Sequence, residues 1–275
     1  MSTVLTTDHP AWEETTHGTR VRAVRSGTGL WLASWGPDEL ELHCIEGTED
    51  DKPRIITTDP STLPTSVPEE LSAGLKKLGL TRRLANPWLW DAITTAILRQ
   101  VVRAGQARRL YRAWCQAYGT TLTTAHGPLA VAPDAQQVLD LDDDAFASIG
   151  AKFHRTALQA AARAYRQHED TWVRPAPADL VSALISVTRI GPWTASAAAA
   201  DFTGDFTVYP HADLAVRTWA AQVARAYAWP DTEKAFNPHW RHLAGPGDRH
   251  LHTLTLTTLT WGAHARTAEH TGTRP

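Results

Sequence analysis

The stretch ALISVTRIGPWTASAAAA, residues 183–200, decides the fold. Leu180, Val181, Leu184 and Ile185 recur at helical spacing behind Pro177, a residue type favoured at a helix start. The run then meets Ile190–Gly191–Pro192, which ends the helix, and restarts with small residues that fit a second one. Two helices joined by so tight a turn leave backbone N–H groups without intrahelical partners at the second helix's start. With the helix dipole, such groups form a site for an anion such as a phosphate. Read alone, the segment also fits an ordinary helical hairpin turn.

Outward from this hairpin the helical period persists. Leu89, Ile93 and Ile97 form one apolar stripe; Ala107, Leu110, Tyr111, Trp114 and Tyr118 form another, closed by Gly119. Leu158, Ala161, Ala162 and Tyr165 make a third, and Val216, Trp219, Ala220, Val223 and Tyr227 a further one after Pro210. Residues 251–265 fit either element, since Leu254 and Leu256 alternate like a strand whereas Leu251, Leu254 and Leu259 fit a helix. Residues 19–47 differ, with short alternating runs punctuated by Gly27, Gly29 and Gly36 that predict two to four antiparallel strands. The polar stretch TTDPSTLPTSVP (57–68) follows. The expected division is an N-terminal β-rich region with its connector over 1–68 and a helical domain over 69–275.

Composition narrows the class. Of 275 residues, 43% are hydrophobic and 20% charged, as in globular chains. No apolar run reaches the ~18 residues that span a bilayer, and the first residues lack a secretory layout. Cys44 and Cys115 are the only cysteines, which excludes a disulfide scaffold, a four-cysteine zinc site and a four-cysteine iron–sulfur cluster. A reducing cytoplasm is the expected location, nucleoid-associated if the source is bacterial. The net charge of −2 argues, as an average, against a nucleic-acid coat. Yet 22 of the 27 basic residues are arginines. Seven of them crowd into 82–112, Arg82, Arg83, Arg99, Arg103, Arg108, Arg109 and Arg112, against the single acid Asp91.

A second motif, FTVYPHADLAVRTWA (206–220), follows the hairpin and places Asp213 at a helix start, where an aspartate most often serves as N-cap. The two motifs together resemble the helix-hairpin-helix DNA glycosylases, above all the 3-methyladenine DNA glycosylase II branch. TRIGPWTA (188–195) matches that branch's "PGIGPWTA", and YPHADLAVRTW (209–219) its "FPADDLALRRA". ILRQVVRAGQARRLY (97–111) and FASIGAKFHRTALQAAARAY (146–165) resemble two more of its segments, so that the likeness spans about 85–265.

The resemblance implies a mainly α, two-lobed helix-hairpin-helix bundle with a small N-terminal antiparallel β region. It implies a monofunctional enzyme that flips a damaged base, expected to be an alkylated purine, out of double-stranded DNA and hydrolyses its N-glycosidic bond. Asp213 maps onto the catalytic aspartate and would stabilise an oxocarbenium-like sugar. Trp193 stands where bifunctional relatives carry the lysine that forms a Schiff base, so no lyase activity is expected. Its ring is also suited to stack on a cationic base, or else to pack in a core. Trp261 and Trp88 are further candidates for the base pocket, with Trp90 beside them, because Ala197 replaces an expected aromatic. Gln100, Val101, Arg103, Arg189, Ile190, Gly191 and Thr194 map onto DNA-contacting positions, Val101 as the wedge or else as a core valine. Arg189 replaces the hairpin's first glycine, so a positive φ there would be strained. No metal and no cofactor is implied, and a monomer is expected. Alternatives are a glycosylase for oxidised, deaminated or mismatched bases, and a catalytically silent DNA-structure binder.

Overall fold

The computed structural model describes residues 2–36 and 39–271. In chain order the strands are β1 (Thr3–Leu5), β2 (Glu13–Glu14), β3 (Arg20–Ser26), β4 (Gly29–Trp35), β5 (Leu40–Glu46), β6 (Ile55–Thr58), β7 (Leu80–Leu84), β8 (Thr120–Thr124) and β9 (Gly127–Val131). The helices are α1 (Glu69–Lys76), α2 (Leu89–Leu98), α3 (Ala104–Tyr118), α4 (Ala135–Asp140), α5 (Asp143–Ser148), α6 (Arg155–Trp172), α7 (Pro177–Ile185), α8 (Pro192–Thr203), α9 (Leu214–Val223), α10 (Glu233–Ala244) and α11 (Asp248–Thr271). Two compact units result: Met1–Asp8, Ile55–Leu84 and Asp205–Pro275 make one, His9–Arg54 and Ala85–Gly204 the other. Each unit therefore draws on residues from both sides of position 68.

In the His9–Gly204 unit, β2, β3, β4 and β5 form an antiparallel sheet in that order. The β8–β9 hairpin joins it through a core of Val21, Ala23, Leu30, Leu122, Leu129 and Val131. The hairpin had no clear signal in the sequence, because only Leu122, Leu129 and Val131 turn inward from two five-residue strands. All ten residues of α2 are buried, so it is the central helix of this unit. Trp114 and Phe146, also fully buried in this unit, pack ring against ring (5.7 Å between centroids). Trp90 is fully buried and donates its indole N–H to Pro133 O (2.8 Å), which makes it core and removes it from the base-pocket candidates.

One acid lies inside this core. Asp91, in the first turn of α2, accepts from Tyr111 Oη (2.7 Å) and Asn86 Nδ2 (3.0 Å), and lies 3.3 Å from His9 Nε2 and 3.5 Å from Arg22 Nη2. Asn86 gives its other amide hydrogen to Asp201 Oδ2 (2.9 Å), on α8. Burial, and then the Arg22 charge, lower the His9 pKa, and its Nδ1 accepts from Ala11 N–H (3.2 Å), as a neutral imidazole must. Burial works against ionisation of Asp91, but His9, Arg22 and its donors hold the carboxyl below the usual range.

In the other unit, β1, β7 and β6 form a sheet in which β1 runs parallel and β6 antiparallel to β7. Strand β7 was missed because its charged centre hides the alternation: Arg83 is buried, not on an exposed basic face. It donates to Asp8 Oδ2 (3.0 Å) and lies 4.9 Å over the Phe206 ring. The ambiguity over 251–265 resolves as helix α11. Of its buried threonines, Thr257 Oγ1 bonds back to Thr253 O (2.7 Å) and Thr260 Oγ1 to Leu256 O (2.8 Å), Thr255 Oγ1 accepts from Trp240 Nε1 (3.0 Å), and Thr258 Oγ1 has no partner among the described residues. A Cβ at Gly262 would stand 2.3 Å from the Trp219 ring, so glycine is required for α9 to approach α11.

Replacing Asp91 by alanine strips Arg22 of its nearest anion while two guanidinium nitrogens, Nε and Nη1, already lack partners. A loss of about 3–5 kcal/mol in urea unfolding is expected.

Candidate functional site

The hairpin comprises α7, residues 186–191 and α8, with Gly191 as N-cap and Pro192 in the first turn. No side chain caps the α8 N-terminus. Arg189 has φ 69°, the left-handed conformation that a glycine would adopt without strain. Val101, just beyond α2, has φ 59° and is 89% exposed, which rules out a core role. Two bulky residues thus hold left-handed conformations, each costing roughly 1–2 kcal/mol.

Gln100 links them. Its Nε2 donates to Thr194 Oγ1 (2.7 Å) and to Arg189 O (3.3 Å), and its carbonyl lies 3.4 Å from His154 Nε2. Burial lowers the His154 pKa, and because a carbonyl only accepts, Nε2 is the donor to Gln100 O. Around this node opens a cleft of about 530 Å³, lined among others by Gln100, Val101, Phe153, Arg189, Gly191, Trp193 and Thr194.

Six of the expected residues therefore converge. Trp193 is half-buried on the cleft wall with the Arg99 guanidinium 5.7 Å from its ring centroid, so it is not sealed in a core. Thr194 and Ile190, expected at the DNA surface, are buried at 3% and 4% exposure. The Thr194 hydroxyl accepts from Gln100, and Ile190 N–H donates to Val187 O (3.0 Å). Both shape the hairpin from within. Arg103 is exposed at the N-cap of α3, outside the cleft lining. Trp88 is half-buried with Arg25 5.0 Å over its ring, and it too lies outside that lining. Of the other arginines near α2 and α3, Arg112 donates to Trp12 O (2.6 Å) and braces the N-terminal segment. Arg108 and Arg109 are exposed.

The other unit carries Asp213 and Trp261. Asp213 is half-buried and is the N-cap of α9, accepting from Ala215 N–H and from Tyr209 Oη, both at 3.3 Å. Tyr209 stacks on Phe206 (5.5 Å, 22° between planes), which positions the phenol. His211, two residues before, is buried with no partner at Nε2. Burial, and then Arg241, push its pKa down to about 4. Trp261 is half-buried on α11. Among the described residues, no group of three or more His, Cys, Asp or Glu side chains is placed to hold a metal, and no helix is long and apolar enough to cross a membrane.

No family model and no curated protein matches the sequence. Solved structures do match. The 3-methyladenine DNA glycosylase from Archaeoglobus fulgidus aligns with a TM-score of 0.72 over 92% of this chain and 90% of its own, at 14% identity. The 8-oxoguanine glycosylase/lyase from Clostridium acetobutylicum, in complex with double-stranded DNA containing cytosine opposite 8-oxoG, aligns with a TM-score of 0.70 over 95% of this chain and 90% of its own, at 12% identity. A DNA-3-methyladenine glycosidase from Bacillus halodurans gives 0.55 over 78% of this chain and 94% of its own, at 16% identity. The fold is that of the helix-hairpin-helix DNA glycosylases.

Within this helix-hairpin-helix glycosylase fold, sequence reasoning missed Phe153. It is 70% exposed and lines the same cleft as Val101, an apolar pair at its rim. Its position inside a segment already matched to the family was the available signal, since a phenylalanine there breaks a basic run, Lys152–Arg155.

Two outcomes follow. Val101→Gly and Arg189→Gly should each raise stability by about 1 kcal/mol in urea unfolding, because glycine adopts a positive φ without strain. For His211, the folded state resists protonation between about pH 6.5 and about 4, whereas the unfolded chain accepts the proton. Stability should therefore fall as pH drops through that window, and His211→Gln should flatten the slope in pH-dependent thermal unfolding.

Proposed function

We propose that this protein is a monofunctional DNA glycosylase that removes a damaged base, an alkylated purine, from double-stranded DNA and leaves an abasic site. The observation that carries this reading is Trp193 in the first turn of α8, on the wall of a cleft rimmed by the protruding Val101. The uncapped α8 start suits a DNA phosphate. Val101 and Phe153 are apolar groups of the kind that fill the gap left by a flipped nucleotide. Exposed Arg103, Arg108 and Arg109 on α3 supply charge for neighbouring phosphates.

The reaction is hydrolysis. As the bond between the base nitrogen and sugar C1′ breaks, the base departs with the electron pair and positive charge builds on the sugar. Asp213 is the carboxylate proposed to stabilise that charge and to orient the attacking water, whose oxygen bonds to C1′. A base that is uncharged in the nucleotide leaves as an anion and takes up the proton that water loses, whereas a cationic base leaves neutral and that proton passes to solvent. Tyr209 and the α9 N-terminus orient the carboxylate by donating to it. Trp193 has no amine, so no Schiff base and no strand cleavage accompany base release. The enzyme is proposed to act as a monomer in the cytoplasm, nucleoid-associated in a bacterial cell.

Mass analysis of bases released from broadly alkylated genomic DNA should show modified purines. Asp213→Asn should lower that release by at least about 10²-fold while duplex binding persists. Borohydride should trap no covalent DNA complex. Release of only uracil or an oxidised purine would overturn the alkylation reading, and no release from any lesion would favour a silent binder.

A further inference from the structure

The Arg99 guanidinium lies 5.7 Å from the centroid of the Trp193 ring, within the range in which a cation is held by an indole face. Arg99 follows directly on α2, and Gln100 beside it is pinned to the start of α8. The placement of Arg99 next to Trp193 is therefore built into the same junction that shapes the hairpin. The ring proposed to receive the flipped base already carries a resident cation.

We infer that Arg99 is a specificity-determining residue that selects uncharged alkylated purines over cationic ones. This rests on the reading of Trp193 as a base-stacking residue. Purines alkylated at ring nitrogens, such as 7-methylguanine and 3-methyladenine, carry a positive charge as nucleotides. The indole quadrupole that would attract them is the one Arg99 occupies. A cationic base on the same face must displace the guanidinium and lose its attraction. On the opposite face it meets a like charge across one ring, within the ~8–10 Å Debye length at ordinary ionic strength. An uncharged purine meets neither penalty. Selectivity thus comes from charge rather than from shape.

The test uses duplexes with a single 2′-fluoroarabino nucleotide, which resists hydrolysis, carrying either 7-methylguanine (cationic) or its isomer O6-methylguanine (uncharged). Affinities are measured by fluorescence anisotropy for the wild type, Arg99→Gln and Arg99→Lys, each checked for folding by circular dichroism. The wild type should prefer the O6-methylguanine duplex. Arg99→Gln should raise the ratio of cationic to uncharged affinity by about five- to tenfold, and Arg99→Lys should keep the ratio near that of the wild type. An unchanged ratio with both affinities lowered would mean that Arg99 only contacts phosphate or packs, and would overturn the inference. So would a wild type that prefers the cationic duplex. Base release from the corresponding deoxynucleotide duplexes is measured in parallel. Failure of release would sink the glycosylase reading and leave the affinity ratio to decide the selectivity by itself.

Discussion

The buried carboxylate of Asp91 is the constraint on which the His9–Gly204 unit turns. An ion in a core must find partners, and Asp91 draws His9, Arg22, Tyr111 and Asn86 onto one point. Asn86 carries the link onward to Asp201 near the C-terminal end of α8, where the helix dipole alone disfavours a negative charge. At the far end of α2, Gln100 reaches Thr194 in the first turn of α8. The two packed helices are therefore pinned at both ends. One pin is an ionic network in the core, the other a single amide at the edge of the cleft.

That second pin keeps unfavourable backbone in place. Val101 and Arg189 hold left-handed conformations that glycine would adopt more readily. Their neighbour Gln100 bonds to Arg189 O and Thr194 Oγ1, and its carbonyl lies beside His154. Strain of this kind persists only where the surroundings over-determine it. The result is a valine pushed out into solvent and an arginine where chain geometry alone would favour a smaller residue. Both line one cleft with Trp193, so the strain sits where the proposed chemistry needs protruding groups.

How much was legible differed from residue to residue. The stripe through Leu89, Ile93 and Ile97 marked α2, and Pro177 and Gly191–Pro192 marked the hairpin, because those signals act within a few residues of chain. The arginines were harder. Arg82 to Arg112 look alike in sequence, yet Arg83 binds Asp8, Arg112 braces Trp12 O and Arg99 covers Trp193, while Arg108 and Arg109 face solvent. Thr194 and Ile190 sat in a motif matched to a DNA-contacting one, but their side chains turn inward. Helix α11 was ambiguous because Leu254 and Leu256 alternate like a strand while Leu251, Leu254 and Leu259 fit a helix. Burial of both the odd and the even positions over 251–260, with the Thr257 and Thr260 hydroxyls bonded back to the preceding turn, decides for the helix.

The sequence by itself determined the helical segments α2, α3, α6, α7, α8 and α9, the break before Pro192 and the chemistry open to residue 193, which carries an indole and no amine. These follow from covalent structure and short-range sterics. Only the tertiary structure decided that Val101 protrudes, that Phe153 joins it, that Asp91 is an internal ion and that Arg99 rests on Trp193. Burial and charge pairing depend on which distant segments meet, and a guanidinium has no fixed role until its neighbours set its solvation.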